Sequence, residues 1–306
     1  MRMGLYSRTN SSAIFSRPIV GGRIVNDDGS NVIIFDHSNN VVTYYWHTED
    51  AVFTSSTYTN TYSMLFDGVN EYVAVSDHND FSFGDSSNDS PFSVSVWAKA
   101  SDLTSSGIIG KGYAGFLGEW EFYFNSVDKI NLRLGDGFLV WISKYGTSAL
   151  TSDEGTWHHY VATYDGSGAS SGIKLYRDST EITSTTTSDY GTYVAMDNTT
   201  NIPTFGLSGL GNGAKYFDGK LDEVTVWSVE LNSSEVTKLY NNGVAGFDLA
   251  TATSNLKAWW RCGEGSSGSN TDGTTTVYDM STNTHNGTLT NMSSTYGDIY
   301  KEDIAE

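Results

Sequence analysis

Two carboxylates lie close together in the middle of the chain, at Glu119 and Glu121. Residues two apart on a β-strand point to the same face, so these side chains would be neighbours. Paired carboxylates facing one groove perform glycoside hydrolysis, one of them as the acid. No third acid follows at this spacing, and a Glu-Xaa-Asp-Xaa-Glu run is absent. Because charged side chains usually mark solvent, we interpret the pair as a solvated strand face.

The six histidines do not predict a metal site. His158 and His159 are adjacent, so a strand would place them on opposite faces, where they could not bind one ion. The sequence has no nucleophile elbow, phosphate-binding loop or cysteine pair. We therefore predict that the protein is not an enzyme. A glycosidase is the alternative only if carboxylates from different strands converge.

The charge balance restricts the classes of partner. The chain has 36 acidic and 17 basic residues, a net charge of −19. Binding a nucleic-acid backbone needs clustered lysine and arginine, so we predict no nucleic-acid partner. An acidic surface keeps an aromatic-rich protein soluble and can also supply oxygen ligands for Ca²⁺. The only cysteine is Cys262, which excludes an intrachain disulfide. We find neither a secretory signal nor a membrane span, so we predict no membrane partner.

The polar and apolar patterns divide the chain into three segments. Residues 61–243 contain repeated strand-like alternation, with one buried face per strand, as in Phe92–Trp97, Trp120–Phe124 and Ile130–Leu134. Residues 1–60 are predicted to form an N-terminal arm or small β subdomain for docking, with a hairpin from 32–35 and 41–46. Residues 244–306 are predicted to form a C-terminal β extension that packs on the sandwich or on a neighbouring subunit.

One helix is predicted near residue 235. Asn232 is placed as its N-cap, Glu235 occupies the third helical position, and Leu231 can contact Val236 across the first turn. Gly243 is predicted to end the helix in the left-handed region.

Six motifs in the central segment occur in the order of a known family. They are Leu65–Val73, Phe92–Trp97, Ile108–Lys111, Thr156–Gly166, Ile173–Asp178 and Phe217–Trp227. This region resembles the laminin-G-like jelly-roll family, a branch of the concanavalin A-like lectins and glucanases. The family usually has Asp-Gly where this chain has Asp178-Ser179. The resemblance implies an all-β fold, an antiparallel two-sheet jelly-roll sandwich with one short helix and N- and C-terminal extensions.

A second resemblance lies in the last segment. Residues 256–265 and 279–292 are similar to a segment common in laminin-G-like structural proteins of marine tailed phages. In many relatives this segment precedes the Phe-Asp-Gly strand, whereas here it follows the domain.

The family resemblance also implies a structural calcium ion. It would place Asp67 and Asp222 near that ion, with backbone carbonyls completing the shell. The alternative is that Asp67 and Asp218 only make turns with the glycines that follow them, which we favour for Asp218. No other cofactor is expected.

Sugar binding by such folds uses aromatic rings exposed on loops or on a concave face. The candidate carbohydrate-binding residues are aromatic residues near predicted turns, namely Tyr113, Trp141, Tyr145, Tyr190 and Tyr193. Most of the 8 tryptophans and 19 tyrosines must instead lie in the core, because aromatic side chains dominate burial.

Two functions remain open on the sequence. The first is a non-enzymatic virion structural protein of a tailed phage, a capsid decoration, knob or tail-associated subunit, assembled in the host cytoplasm. Its partners would be other virion proteins or copies of itself. The second is an extracellular surface or exported module, or adhesin, that binds cell-surface carbohydrate with Ca²⁺. The two are compatible, since a virion appendage can also bind glycans weakly.

Overall fold

A computed structural model describes most of the chain from residue 60 onward. The described residues are 60–112, 118–136, 139–209, 213–249, 252, 254–263, 275–293 and 300–305, together with the backbone of five short strands before residue 46. The chain divides into two units, Met1–Val52 and Phe53–Glu306.

The described part of the first unit consists of five short strands. They are β1 (Tyr6–Thr9), β2 (Ser12–Ile14), β3 (Arg23–Val25), β4 (Val32–Ile34) and β5 (Tyr44–Tyr45). β2 pairs with β1 and β5, and β3 pairs with β4. The predicted hairpin between residues 32–35 and 41–46 is therefore wrong, because each of these strands pairs with an earlier one.

The second unit is built from strands. Its first ten are β6 (Ser63–Asp67), β7 (Tyr72–Val75), β8 (Phe92–Asp102), β9 (Gly107–Lys111), β10 (Trp120–Phe124), β11 (Ile130–Gly135), β12 (Trp141–Gly146), β13 (His158–Tyr164), β14 (Ile173–Arg177) and β15 (Thr180–Glu181). The remaining strands are β16 (Thr185–Thr187), β17 (Pro203–Phe205), β18 (Leu207–Ser208), β19 (Lys215–Tyr216), β20 (Asp218–Trp227), β21 (Leu256–Trp260), β22 (Thr276–Val277), β23 (Gly287–Thr290) and β24 (Tyr300–Lys301).

Two antiparallel sheets form a sandwich. The larger sheet has nine strands in the order β16-β12-β11-β10-β9-β17-β7-β23-β22. The other sheet has eight strands, in the order β15-β14-β13-β8-β20-β6-β24, with β21 paired to β20. Side chains from both sheets join one buried cluster that includes Phe92, Val94, Phe122 and Leu132. The predicted all-β, two-sheet sandwich is confirmed.

The central strands are buried on both faces. In β8 the core face carries Phe92 and Val94, yet Ser93, Ser95 and Trp97 on the opposite face are also buried. Trp97 lies against Tyr240 of the helix, with ring centroids 5.6 Å apart. The strand positions agree with the predicted alternation, but the expectation of a solvated second face is wrong for these strands, because later parts of the chain cover them.

The helix, α1, spans Ser233–Tyr240. Asn232 accepts from the backbone N–H of Glu235, and the Glu235 carboxylate accepts from the N–H of Asn232, so the predicted capping box is confirmed. The helix ends at Tyr240, its C-cap Asn241 has a left-handed φ of 49°, and a 3₁₀ turn over Asn241–Gly243 follows. The C-cap thus comes two positions before the predicted Gly243, which also has a positive φ, of 96°. Within the described residues no helix has the length and apolar composition needed to cross a bilayer.

The last segment supplies strands to both sheets. β21 pairs with Val224–Trp227 of β20, where β6 no longer reaches, while β23 pairs with β7 and β24 with β6. The strand β20 changes partner at Glu223, a bulge residue with φ of 50°. The edge positions left open by β6 and β7 are therefore filled from within the same chain.

An acidic residue beside the last strand joins this segment to the sandwich. Asp303 accepts from Trp157 Nε1 at 3.0 Å and from Lys99 Nζ at 3.0 Å, and it also binds Lys220. Burial acts to raise the pKa of Asp303, but the hydrogen bonds from Lys220, Trp157 and Lys99 outweigh it and lower the pKa to about 2. The carboxylate is thus ionised at all ordinary pH values.

Candidate functional site

The outer face of the nine-stranded sheet carries a row of polar and aromatic side chains. It runs across β10, β11 and β12, where Glu121 is opposite Arg133 and Arg133 is opposite Ser143. One step along the strands, Tyr123 is opposite Asn131 and Asn131 is opposite Tyr145. Because the neighbouring residues Phe122 and Leu132 point into the core, strand alternation forces this set outward.

Two side chains of this row and three of their neighbours form a series of cation–π and stacking contacts, which we call the cation–π ladder. Its members are Lys215, Tyr123, Arg133, Trp141 and Tyr190. Lys215 Nζ lies 4.3 Å from the centre of the Tyr123 ring. The Arg133 guanidinium lies 5.4 Å from the Tyr123 ring and 5.4 Å from the Trp141 ring. Trp141 then stacks on Tyr190, with centroids 4.7 Å apart and planes at 18°. Arg133 is attracted by the quadrupoles of two rings and Lys215 by that of one, so these contacts hold the side chains in place.

Hydrogen bonds fix the ladder at its inner end. The Tyr123 hydroxyl oxygen accepts from Arg133 at 2.6 Å and from Asn131 Nδ2 at 3.1 Å. Glu121 accepts from Ser208 and lies 3.6 Å from both Arg133 and Lys215. Burial, with the nearby Glu121 charge, raises the pKa of Tyr123 to about 12. The phenol therefore stays neutral, and the Glu121 carboxylate lies beside both cations.

A hairpin closes one side of this surface. β18 and β19 lie against β9, and Gly107 makes this approach possible. A Cβ at Gly107 would lie 2.2 Å from the backbone nitrogen of Ser208 and 2.4 Å from the carbonyl oxygen of Lys215. The hairpin thereby carries Lys215 over Tyr123, and burial there lowers the pKa of Lys215.

The opposite end of the ladder is open to solvent. Tyr190 is 58% exposed, and the apolar side chains of Leu139 and Val194, close to the two rungs in sequence, are 54% and 59% exposed. Trp141 and Tyr190 form an antiparallel β-bridge, in which their backbones exchange N–H···O hydrogen bonds of 3.0 and 2.8 Å. The result is a stacked aromatic pair that presents an open ring beside the half-buried Arg133.

The five aromatic residues singled out from the sequence have different positions. Trp141 and Tyr190 are brought together, and Tyr145 lies on the same face of β12, with Lys129 Nζ 5.6 Å from its ring. Tyr193 is not an open ring of this surface, because its hydroxyl donates to Asp89 at 2.8 Å. Tyr113 lies outside the described residues.

The ladder residues that the sequence did not single out are Lys215, Tyr123 and Arg133. Tyr123 and Arg133 alternate with core residues in the predicted strands, which is a signal that they share an outward face. Lys215 comes from a hairpin 82 positions after Arg133, and a single sequence contains no signal for that contact.

The two aspartates expected to bind calcium are not brought together. Asp67 is opposite Asp218 in the β6–β20 ladder, so Asp222 lies four residues further along, about 13 Å at the strand rise. Asp67 is exposed and accepts from the N–H groups of Val69 and Asn70. Asp222 is fully buried and accepts from Asn60 Nδ2 at 2.6 Å. One calcium ion shared by Asp67 and Asp222 does not fit, since its ligands must all lie within about 2.6 Å of it.

The favoured alternative for these acids also needs correction. Asp67 makes the turn, through its contacts to Val69 and Asn70. Asp218, for which a turn was expected, is instead the first residue of strand β20.

Glu119 and Glu121 do not form a solvated strand face, because both side chains are buried. Glu119 Oε1 lies 2.9 Å from Lys111 Nζ and accepts from the N–H of Thr199 at 2.7 Å. Glu121 is covered by the β18–β19 hairpin through Ser208. The two carboxylates are bound in separate internal networks and do not face one open groove.

Comparison with known proteins identifies the fold family. Residues 66–237, more than half of the chain, match a laminin-G family described as Concanavalin A-like lectin/glucanases superfamily. No curated protein matches the chain in a sequence comparison.

Solved structures share the fold at low sequence identity. A candidate carbohydrate binding protein from Bacteroides ovatus ATCC 8483 is similar over 88% of this chain, with 18% identity and a TM-score of 0.53. The chain spans 65% of the length of that protein. A Ruminococcus gnavus sialidase CBM40 bound to α2,3-sialyllactose is similar over 58% of this chain and 97% of its own, at 12% identity and a TM-score of 0.40. A heptameric SAP-like pentraxin from Limulus polyphemus is similar over 60% of this chain and 84% of its own, at 14% identity and a TM-score of 0.39.

Proposed function

The chain belongs to the laminin-G-like family of the concanavalin A-like lectins and glucanases, and on that premise we propose that it is a non-enzymatic module that binds carbohydrate on the outer face of its nine-stranded sheet. The observation that carries the proposal is the stacked pair of Trp141 and Tyr190 at the open end of the cation–π ladder. Sharing a fold does not transfer a ligand, so the proposal depends on this surface.

The chemistry of the open end suits a sugar. A pyranose offers an apolar C–H face and a rim of hydroxyl groups, so it needs a flat ring with hydrogen-bonding groups beside it. Tyr190 supplies an exposed ring and hydroxyl at low conformational cost, because Trp141 holds it on one side. Tyr145 lies four residues along the same strand face as Trp141, about 13 Å away. This length favours a short oligosaccharide.

The contacts within the ladder explain why the surface would need no rearrangement to bind. Arg133 is fixed between two rings and by the Tyr123 hydroxyl, so its rotamer is set before a ligand arrives. Preorganised side chains lose little entropy on binding, which preserves affinity in a small contact area. The same packing argues against turnover, because Glu121, the carboxylate beside the ladder, is buried and already contacts Ser208, Arg133 and Lys215.

Removing the open ring is expected to weaken carbohydrate binding. After a broad glycan array has identified a bound glycan, Tyr190→Ala should raise its dissociation constant about 10- to 30-fold, the usual cost of losing one stacking ring. Isothermal titration calorimetry measures this change. Val244→Ala is the matched control, since Val244 is an exposed apolar side chain that follows the helix, far from the ladder in sequence.

The outcome against carbohydrate binding is equally specific. Silence of the folded protein across the array would contradict the proposal, and so would an unchanged dissociation constant in both Tyr190→Ala and Trp141→Ala. Hydrolysis of a bound glycan would contradict the non-enzymatic part alone.

A second proposal is that this module is a structural protein of a tailed-phage virion, with the sandwich displayed and other virion proteins or further copies of the chain as partners. The separate unit Met1–Val52 supports it, because a distinct N-terminal unit can attach a displayed domain. Mass spectrometry of purified phage particles should detect peptides of this chain in stoichiometric amounts. Its absence from such particles, with the protein recovered from a cell surface or culture medium, would favour an extracellular module instead.

A further inference from the structure

Two of the six histidines meet at the junction between the first strands and the last segment. His78 and Asp80 lie at the 3₁₀ turn Asn79–Phe81, and His285 comes from the loop between β22 and β23. The His78 and His285 ring centroids are 4.5 Å apart. The sequence analysis predicted no metal site from the histidines, but these two lie 207 positions apart and only the fold brings them together.

The three side chains have the spacing of metal ligands. Asp80 Oδ2 lies 3.2 Å from His78 Nδ1 and 2.9 Å from His285 Nε2. One ligand atom of each residue lies within 4.8 Å of the other two. Around a tetrahedral zinc ion with bonds near 2.0–2.1 Å, neighbouring ligand atoms are about 3.3 Å apart. Small side-chain adjustments would therefore place an ion between the three atoms.

The surroundings orient His285 and Asp80. The His285 backbone N–H donates to Asp279 Oδ2 at 2.8 Å, and its carbonyl accepts from Trp260 Nε1 at 2.9 Å. The Phe81 ring packs 4.9 Å from the imidazole. Lys257 Nζ lies 3.5 Å from Asp80 Oδ1, the oxygen that does not face the histidines. Fixed ligands of this kind raise metal affinity, because little order is lost on binding.

The contacts within the cluster involve the atoms that would bind a metal. His285 Nε2 and Asp80 Oδ2 share a hydrogen bond of 2.9 Å, and a metal would take the place of the proton in that contact. His78 Nδ1 accepts from the Asp80 backbone N–H at 3.1 Å, so this nitrogen has its lone pair available. A metal would take that lone pair, and the displaced N–H lies at the surface where water can bind it.

We propose that His78, Asp80 and His285 bind a divalent transition metal such as Zn²⁺, with water as the fourth ligand. Two imidazoles and one carboxylate are the ligands zinc favours, whereas calcium prefers oxygen ligands only. The His78 side chain is 54% exposed, which gives a solvent ligand access. The ion would join the loop before β23 to the start of the sandwich, and so fasten the last segment in place.

The test uses the full-length protein and the metal alone. Equilibrium dialysis against Zn²⁺ followed by metal analysis should retain one zinc per chain, and His285→Gln and His78→Gln should each lower the affinity at least tenfold. At Zn²⁺ one hundred times the dissociation constant, linkage predicts a rise in Tm of about 5–10 °C, which EDTA reverses. Hydrogen exchange of residues 281–287 should slow with zinc.

The matched control is Asp102→Asn. Asp102 belongs to a second cluster, with Asp128 and Glu154, that contains carboxylates only. This variant should bind zinc as the unchanged protein does. Retention of zinc by the double variant His78→Gln/His285→Gln, or loss of zinc in Asp102→Asn alone, would overturn the proposal. An affinity weaker than millimolar in the unchanged protein would do the same.

Discussion

Trp260→Ala is expected to lower the free energy of unfolding by about 3–5 kcal/mol, the usual cost of removing a fully buried tryptophan. Trp260 lies at the end of β21 and has no solvent exposure. Its ring is 5.2 Å from Phe205 and stacks 6.1 Å from Phe81, and its Nε1 donates to the carbonyl of His285. Truncation would leave a large cavity and an unsatisfied carbonyl together.

Equilibrium unfolding in urea, followed by tryptophan fluorescence and circular dichroism, measures this change. Tyr190→Ala is the control, since an exposed ring at the sheet surface should alter stability by no more than about 0.5 kcal/mol. A loss below about 1 kcal/mol in Trp260→Ala would mean that the last segment packs loosely and is not part of the core.

This prediction tests whether the segment after the helix is an integral part of the sandwich domain. The family match ends at residue 237, yet β21, β23 and β24 lie beyond it and complete both sheets. Trp259, Trp260 and Tyr300 contribute buried rings to the structure. The segment after the helix therefore provides pairing partners that the matched region lacks, and it protects the edges of β6 and β7 from pairing with another chain.

Local sequence patterns were sufficient to predict the strands of the sandwich and the helix. Phe92 and Val94 alternate with serines, and β8 has that register. Asn232 and Glu235 lie three apart, and the capping box follows from that spacing alone. Each of these features depends on residues within a few positions of one another, so it can be predicted without knowing the rest of the fold.

Contacts between distant residues were not predictable in the same way. Glu121 was expected in solvent because it is charged, but the β18–β19 hairpin covers it from 87 positions later. Asp67 and Asp222 were paired by resemblance, whereas the register of β20 against β6 sets them four residues apart. Register and coverage are properties of the whole sheet, and one strand alone does not specify them.

The candidate carbohydrate-binding surface could be predicted only in part from the sequence. Trp141 and Tyr190 were chosen as rings near turns, and the structure stacks them because their backbones exchange hydrogen bonds. Arg133 could have been added from strand alternation alone, since the core residues Leu132 and Leu134 flank it in β11. The order of the strands could not be predicted from the sequence, and that order places the side chains of separate strands next to one another in the ladder.

The buried ion pair of Lys111 and Glu119 gives the second large effect. Both side chains have no solvent exposure, and Lys111 Nζ lies 2.9 Å from Glu119 Oε1 and 2.9 Å from Asp77 Oδ1. The ammonium also donates to Ser82 and to the carbonyl of Thr199. A fully buried lysine is tolerated only because each of its protons has an oxygen acceptor.

Lys111→Met should therefore cost about 3–5 kcal/mol of stability, because it leaves the carboxylate of Glu119 buried without its counter-charge. Burial already raises the pKa of Glu119 in the intact protein. In the variant the ionised form is still less favourable, so the stability deficit should shrink as the pH falls and the carboxyl group takes up a proton. Urea unfolding of both proteins between neutral and mildly acidic pH measures this.

A double-mutant cycle separates the loss of the ion pair from the loss of lysine packing. Lys111→Met/Glu119→Gln removes the orphaned charge, so it should be more stable than Lys111→Met alone, with a coupling energy of about 1–3 kcal/mol. Additive losses would mean that the two charges do not stabilise one another. Glu119 would then be held by Thr199 alone, and the pair would have no role in fixing the end of β9 against the start of β10.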